Sequence, residues 1–172
     1  SMLAEAHTVL GSIAQDHDYD WEGAEKHFRR AIELDPGYPT AHQWYSSTLL
    51  YLGRIDEALL EAKRAQELDP LSLIINLNLG DVLYYMRQYE LAIEQYKNTM
   101  ALDYNFPWAH YSLAGVYQLQ GRFDEATKEN EEAHRLGGNV PYTLVPNGWV
   151  YAQAGRKADA LRVLEDLIKL SQ

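Results

Sequence analysis

Apolar side chains recur along this chain at steps of three and four residues, the spacing that gathers them on one face of an α-helix. Ile55, Ala58, Leu59, Ala62, Ala65 and Leu68 make one such stripe, lying between Gly53-Arg54 and Asp69-Pro70. Proline cannot continue a helix, so the stripe predicts one that stops near Leu68. A second helical run, Pro39 to Leu52, precedes it and is broken at Gly53, where the chain must turn. The local unit is helix–turn–helix. It then returns: Gly121-Arg122-Phe123-Asp124-Glu125-Ala126 and Gly155-Arg156-Lys157-Ala158-Asp159-Ala160 repeat the opening, and Glu33-Leu34-Asp35-Pro36 repeats the close. Ala24, Ala58, Ala92, Ala126 and Ala160 stand at one fixed interval, and Leu34, Leu68, Leu102, Leu136 and Leu170 keep the same interval. A period of about 34 residues marks a stacked array of small units.

Two helices approach closely only where side chains are small. Alanine fills that place on each second helix, and Gly11, Ser46, Gly80, Ala114 and Gly148 fill the facing place on the first helices. In these residues the chain resembles the tetratricopeptide repeat family, whose period and small/aromatic/alanine/proline pattern it shares. The resemblance implies an all-α fold, a right-handed α-solenoid of five units and about ten helices. They form a single array over residues 1–172, with units near 4–37, 38–71, 72–105, 106–139 and 140–172. The first helix is expected from Leu3 to Ala14. A turn one residue longer than the others follows it, and Trp21 takes the place later held by Ile55, Tyr89 and Phe123. Pro39, Pro107 and Pro141 open first helices, where a missing N–H is harmless. Gly137-Gly138 is expected to close the fourth unit as a left-handed stop.

Composition narrows the function. The formal net charge is −10, which argues against direct binding to nucleic acid, since phosphate contacts need a basic surface. The charge is uneven: residues 1–37 hold eight acids and three bases, and 141–172 hold three acids and four bases. With no cysteine, the chain has no disulfide, zinc-thiolate site or cysteine nucleophile, which suits a reducing, cytoplasmic setting. Apolar runs are far short of the ~20 residues that cross a bilayer, so no membrane is expected as a partner. Ser1-Met2 reads as an expression scar, so the natural chain is expected to begin elsewhere. Leu161, Leu164, Leu167 and Ile168 have no polar cap after them, and end repeats normally need one. That end is expected to be covered, by further chain or by another molecule.

A narrower resemblance rests on Tyr19-Asp20-Trp21, Ala24, Phe28 and Ala41-His42-Gln43-Trp44-Tyr45. These look like the C-terminal repeat arrays of bacterial signalling chains, which follow a DNA-binding, cyclase or kinase domain. The resemblance implies a non-enzymatic protein-interaction scaffold that holds a peptide or helix in a concave groove lined by first helices. Carried onto this chain, the family's groove positions are Gln43, Ser47 and Tyr51, then Asn78, Asp81 and Tyr85, then Trp108, Tyr111 and Gln118. Trp44, Tyr84, Ser112, Tyr142 and Trp149 also fall on that strip. Tyrosine and tryptophan give broad contact at low entropic cost.

Two specialised family sites are missing. No Lys or Arg lies on a first helix from Pro39 onward, so the chaperone members' carboxylate clamp is absent. The sugar-transferase members' asparagine ladder is absent too, since that position reads Val9, Trp44, Asn78, Ser112 and Pro146. An aromatic, polar and slightly acidic groove suits an apolar or basic peptide segment. The alternative is self-association, a homodimer through the C-terminal end that sets the state of a missing effector domain. No catalytic, metal or cofactor site is expected. His42 and His110 share one repeat position two units apart and fill the slot the family gives to tryptophan. Asp16-His17-Asp18-Tyr19-Asp20 lacks the glycine and downstream glutamate of a calcium loop, and no phosphate loop or nucleophile elbow is present.

Overall fold

A computed structural model describes residues 1–138 and 141–170, without the side chains of 141–143. Among the described residues are ten α-helices and no strand. They are α1 (Met2–Asp16), α2 (Trp21–Leu34), α3 (Pro39–Tyr51), α4 (Ile55–Leu68), α5 (Leu73–Tyr85), α6 (Tyr89–Leu102), α7 (Pro107–Leu119), α8 (Phe123–Gly137), α9 (Pro141–Gln153) and α10 (Lys157–Leu170). The fold class is an all-α helical-repeat solenoid. Second helices start at Trp21, Ile55, Tyr89, Phe123 and Lys157, in step with the alanine interval. Packing defines two compact units, Ser1–Ala92 and Ile93–Gln172, which are described separately.

In the N-terminal unit α1 packs on α2 and α3 on α4, while α2 lies on α3 and α4 on α5. First helices also meet their neighbours, α1 with α3 and α3 with α5. Small residues allow these approaches. Ala24, Ala58 and Ala62 are fully buried, and the Ser46 hydroxyl donates to the Ala58 carbonyl at 2.9 Å. At Gly11 an added Cβ would lie 2.8 Å from the Phe28 ring, so only glycine admits that ring. Glu25 ties the first two repeats together. Its carboxylate accepts from the Tyr45 hydroxyl at 2.8 Å and from Arg54 at 2.7 Å, and pairs with Arg29 at 2.6 Å. Burial works against its charge, yet the Arg54 and Tyr45 hydrogen bonds hold it below the ordinary carboxylate range.

In the C-terminal unit α7 packs on α8, α8 on α9 and α9 on α10. Ala114, Ala126, Val116 and Val150 are fully buried there. Tyr151 donates to Glu131 at 2.7 Å. Burial first, and the Glu131 carboxylate second, push its hydroxyl up to about 12.

Turn chemistry repeats as strictly as the helices. Tyr19, Gly53, Arg87, Gly121 and Gly155 keep the repeat interval, and all have positive φ, between 56° and 73°. The turn needs this sign because the next N–H folds back onto the helix end, as Arg54 N–H does to the Leu49 carbonyl at 2.9 Å. Glycine takes it freely, whereas Tyr19 and Arg87 hold it at a cost. Arg87→Gly is therefore expected to stabilise the chain by up to about 1 kcal/mol, while Gly121→Ala loses about that much. Urea midpoints of both variants measure it.

Two sequence expectations change in detail. The first helix runs to Asp16 rather than Ala14, which puts its end in register with Tyr51 of α3, so the extra residue lies in the turn alone. Gly138 has φ 81° but ψ 177°, an extended glycine-only geometry instead of the left-handed helical one expected. Its N–H still caps α8 through the His134 carbonyl at 3.0 Å.

Candidate protein-binding surface

The first helices carry the candidate residues, and helical spacing decides which share a face. On α3, Gln43, Ser47 and Tyr51 follow at four-residue steps; on α5, Asn78, Asp81 and Tyr85 follow at three and four. Since α3 packs beside α5, these two rows are neighbours. The contact is polar: Asn78 Nδ2 donates to Ser47 Oγ at 3.0 Å, and Gln43 Nε2 reaches the same hydroxyl at 3.5 Å.

Gln43 and Asn78 are buried, at 8% and 5% exposure, which differs from the open position the family pattern implied. Their carboxamides turn to Ser47 because burying them unpaired would be costly. Asn78 Oδ1 nevertheless has no hydrogen-bond partner among the described residues. Ser47 and Asp81 are half-buried.

The exposed positions are aromatic. Tyr51 and Tyr85 end α3 and α5 at one repeat position and are 69% and 58% exposed. Trp21 lies against Tyr51 with ring centroids 5.7 Å apart, and Tyr84 meets Tyr85 edge-on at 5.3 Å. In the C-terminal unit, Trp108 and Tyr111 on α7 are both exposed and stand edge-to-face at 6.2 Å. Gln118, two turns along from Tyr111, is half-buried. Trp44 and Tyr84 are half-buried, Trp149 is exposed, and the Tyr142 side chain lies outside the described residues. Sequence reasoning passed over Leu119, exposed at the repeat position of Tyr51 and Tyr85; the repeat interval pointed to it.

The histidines lie elsewhere. His42 is buried with Nδ1 2.6 Å from Glu61 and Nε2 3.1 Å from the Pro36 carbonyl. His110 repeats this with Glu129 at 2.7 Å and the Tyr104 carbonyl at 2.9 Å. In the third repeat Asn76 takes the slot, donating to the Pro70 and Ser72 carbonyls at 2.9 Å and accepting from Gln66 at 2.8 Å. The slot is a helix-to-loop clasp. His7 and His27 face each other Nδ1 to Nδ1 at 3.0 Å, so one ring donates and the other accepts. Asp20 caps α2 by accepting from the Gly23 N–H at 2.9 Å, and His17 pairs with Asp18 in the same turn. Among the described residues no cluster of three or more His or acidic side chains is arranged to hold a metal ion. No described helix is long and apolar enough to cross a membrane.

An array of small-residue helix pairs closed by positive-φ turns defines a helical-repeat protein. Comparison with known proteins agrees: models described as tetratricopeptide or TPR repeat match residues 3–77, 80–121 and 141–166. The chain belongs to the tetratricopeptide repeat family, a family of protein–protein interaction scaffolds. No curated protein matches the sequence. Among solved structures, a thermophilic TPR protein of Thermus thermophilus is similar at 22% identity and TM-score 0.84, covering 96% of this chain and 90% of that one. PilF of Pseudomonas aeruginosa is similar at 21% identity and TM-score 0.77, over 97% and 76% of the two chains. YrrB, described as a TPR protein with an unusual peptide-binding site, is similar at 20% identity and TM-score 0.64, over 95% and 84%. At these identities the likeness is one of fold.

Proposed function

We propose that the chain is a non-enzymatic scaffold that binds an apolar or basic segment of another protein, as a peptide or helix, along its first helices. The observation that carries this is the exposure of Tyr51, Tyr85, Trp108 and Tyr111 on such helices. Exposed aromatic clusters are costly unless used, and interfaces are enriched in them. Tyr51 and Tyr85 act as anchors in the N-terminal unit, and Trp108 and Tyr111 act as anchors in the C-terminal unit. Ser47, Asp81 and Gln118 supply polar selection, and Gln43 and Asn78 hold the Ser47 hydroxyl from below. The absence of Lys and Arg from α3, α5, α7 and α9 favours a basic ligand over an acidic one. YrrB offers a precedent for peptide binding on this fold.

A peptide-display library panned on the chain, followed by fluorescence titration of the selected peptides, tests the proposal. Tyr85→Ala with Tyr111→Ala, and Tyr51→Ala alone, are expected to weaken binding by about tenfold or more, near 1.4 kcal/mol, with unchanged thermal unfolding. A library that returns no peptide, or peptides indifferent to all three changes, rejects the reading.

A second reading is self-association through the C-terminal end, in the service of an effector domain on a longer signalling chain in the cytoplasm. Leu161, Leu164 and Ile168 favour it, since they make an exposed apolar stripe on α10.

A further inference from the structure

This inference rests on the self-association reading and supplies its missing half, the surface that α10 meets. Burial compared position by position along the repeats shows two faces, on α1 and α10, that are open where the equivalent positions of other repeats are buried. Thr48, Val82, Val116 and Val150 occupy one position of the first helix and are all 0% exposed; Ile13, their counterpart on α1, is 47% exposed. Leu10 is likewise exposed where Tyr45, Leu79, Leu113 and Asn147 are buried. The second helices show the converse at the other end. Phe28, Ala62, Tyr96 and Asn130 are at most 2% exposed, yet Leu164 at the same position of α10 is 52% exposed.

A second helix lies on the next first helix in three places, α2 on α3, α4 on α5 and α8 on α9, and in the first of them Tyr45 of α3 stacks with Phe28 of α2. The open face of α10 is thus the second-helix half of that contact, and the open face of α1 is the first-helix half. We propose that copies of this chain associate head to tail, α10 of one copy covering α1 of the next through Leu161, Leu164 and Ile168 against Leu10 and Ile13. Charge supports this occupant. Residues 1–37 carry eight acids against three bases, whereas 141–172 carry three acids against four bases, so unlike ends attract and two N-terminal ends repel. The contact is heterologous: each copy offers one face of each kind, so a pair of copies joined once still presents one free face of each kind to a third.

Light scattering on the 172-residue chain from micromolar to millimolar concentration tests it. The average mass should rise with concentration beyond that of two copies. Ile13→Asp and Leu164→Asp each put a charge into the apolar contact and should weaken association at least about tenfold. Mixed together they should form a one-to-one dimer and stop there, because each variant keeps the face the other lost. Both positions are exposed, so the thermal midpoints should hold; Leu161→Lys replaces Leu164→Asp if its midpoint falls. A wild-type chain that stays monomeric throughout overturns both this inference and the self-association reading. Ile13→Asp that dimerises as the wild type does, with Leu164→Asp monomeric, shows α10 pairing with α10 and overturns the inference alone. A mixture that stays monomeric also overturns it.

Discussion

Phe28→Ala is expected to lower the stability of the N-terminal unit by about 3–5 kcal/mol, the range for deleting a fully buried aromatic ring. Phe28 is 1% exposed and joins three helices. It projects from α2, fills the space that Gly11 leaves on α1, and stacks with Tyr45 of α3 at 6.4 Å. Its loss therefore leaves a cavity at a junction within the first repeat and between the first two. Gly11→Ala tests the same contact from the other side. In a helix interior that change normally stabilises by roughly 0.5–1 kcal/mol. Here the new methyl would stand 2.8 Å from a ring that Tyr45 holds on another side, so the sign should reverse. In a Phe28→Leu background the penalty should shrink, and a double-mutant cycle of urea unfolding, followed by the fluorescence of Trp21 and Trp44, reads the coupling. Equal costs of Gly11→Ala in both backgrounds would show that the ring and the glycine do not oppose each other.

The C-terminal unit should lose stability as pH rises through neutrality because of His110. Its ring is fully buried, with Glu129 at one nitrogen and the Tyr104 carbonyl at the other. Both neighbours are acceptors, so the site is satisfied only when both nitrogens carry protons. Desolvation opposes the charge, but Glu129, the Tyr104 carbonyl and the nearby charge of Glu132 outweigh it and raise the imidazole above its ordinary value. Glu132 stays ionised, held near about 2 chiefly by its bond to Arg135. The Tyr104 ring meets the imidazole edge-on at 4.8 Å. A group whose value rises on folding takes up protons on folding. Its stabilisation is full below the unfolded value and is lost as pH climbs through the folded one. Urea midpoints followed by Trp108 and Trp149 fluorescence should fall as pH rises above the ordinary histidine value of about 6.5. His110→Asn, which copies Asn76 of the third repeat, should flatten that slope. Glu129→Gln should cost about 1–3 kcal/mol at the acidic end. A slope that survives His110→Asn would assign the effect to other groups.

The repeat was legible in the chain because its signals are local. Small residues at one spacing, a turn glycine and a helix-stopping proline act within a few residues of themselves. All five second helices therefore begin on the expected register. The turn was legible less fully. Gly53, Gly121 and Gly155 announce a positive φ, but Tyr19 and Arg87 adopt it because the helices on either side impose it. The candidate surface divides along the same line. Tyr51 and Tyr85, which the family resemblance put on the surface, are exposed at the ends of their first helices. Gln43 and Asn78 are not, because their burial depends on Ser47 arriving from a neighbouring helix.

Residue order by itself determined the helical class, the repeat interval, the small-residue seams and the acidic balance of this protein. These depend on local propensity and on which side chains recur in phase. Tertiary packing alone decided that His42 and His110 clasp glutamates 19 residues away, that Glu25 joins three partners, and that Ile13 and Leu164 lie open where their counterparts are covered. Each of these depends on what a second element brings to the same place, and burial and pairing are properties of two surfaces rather than of one sequence position.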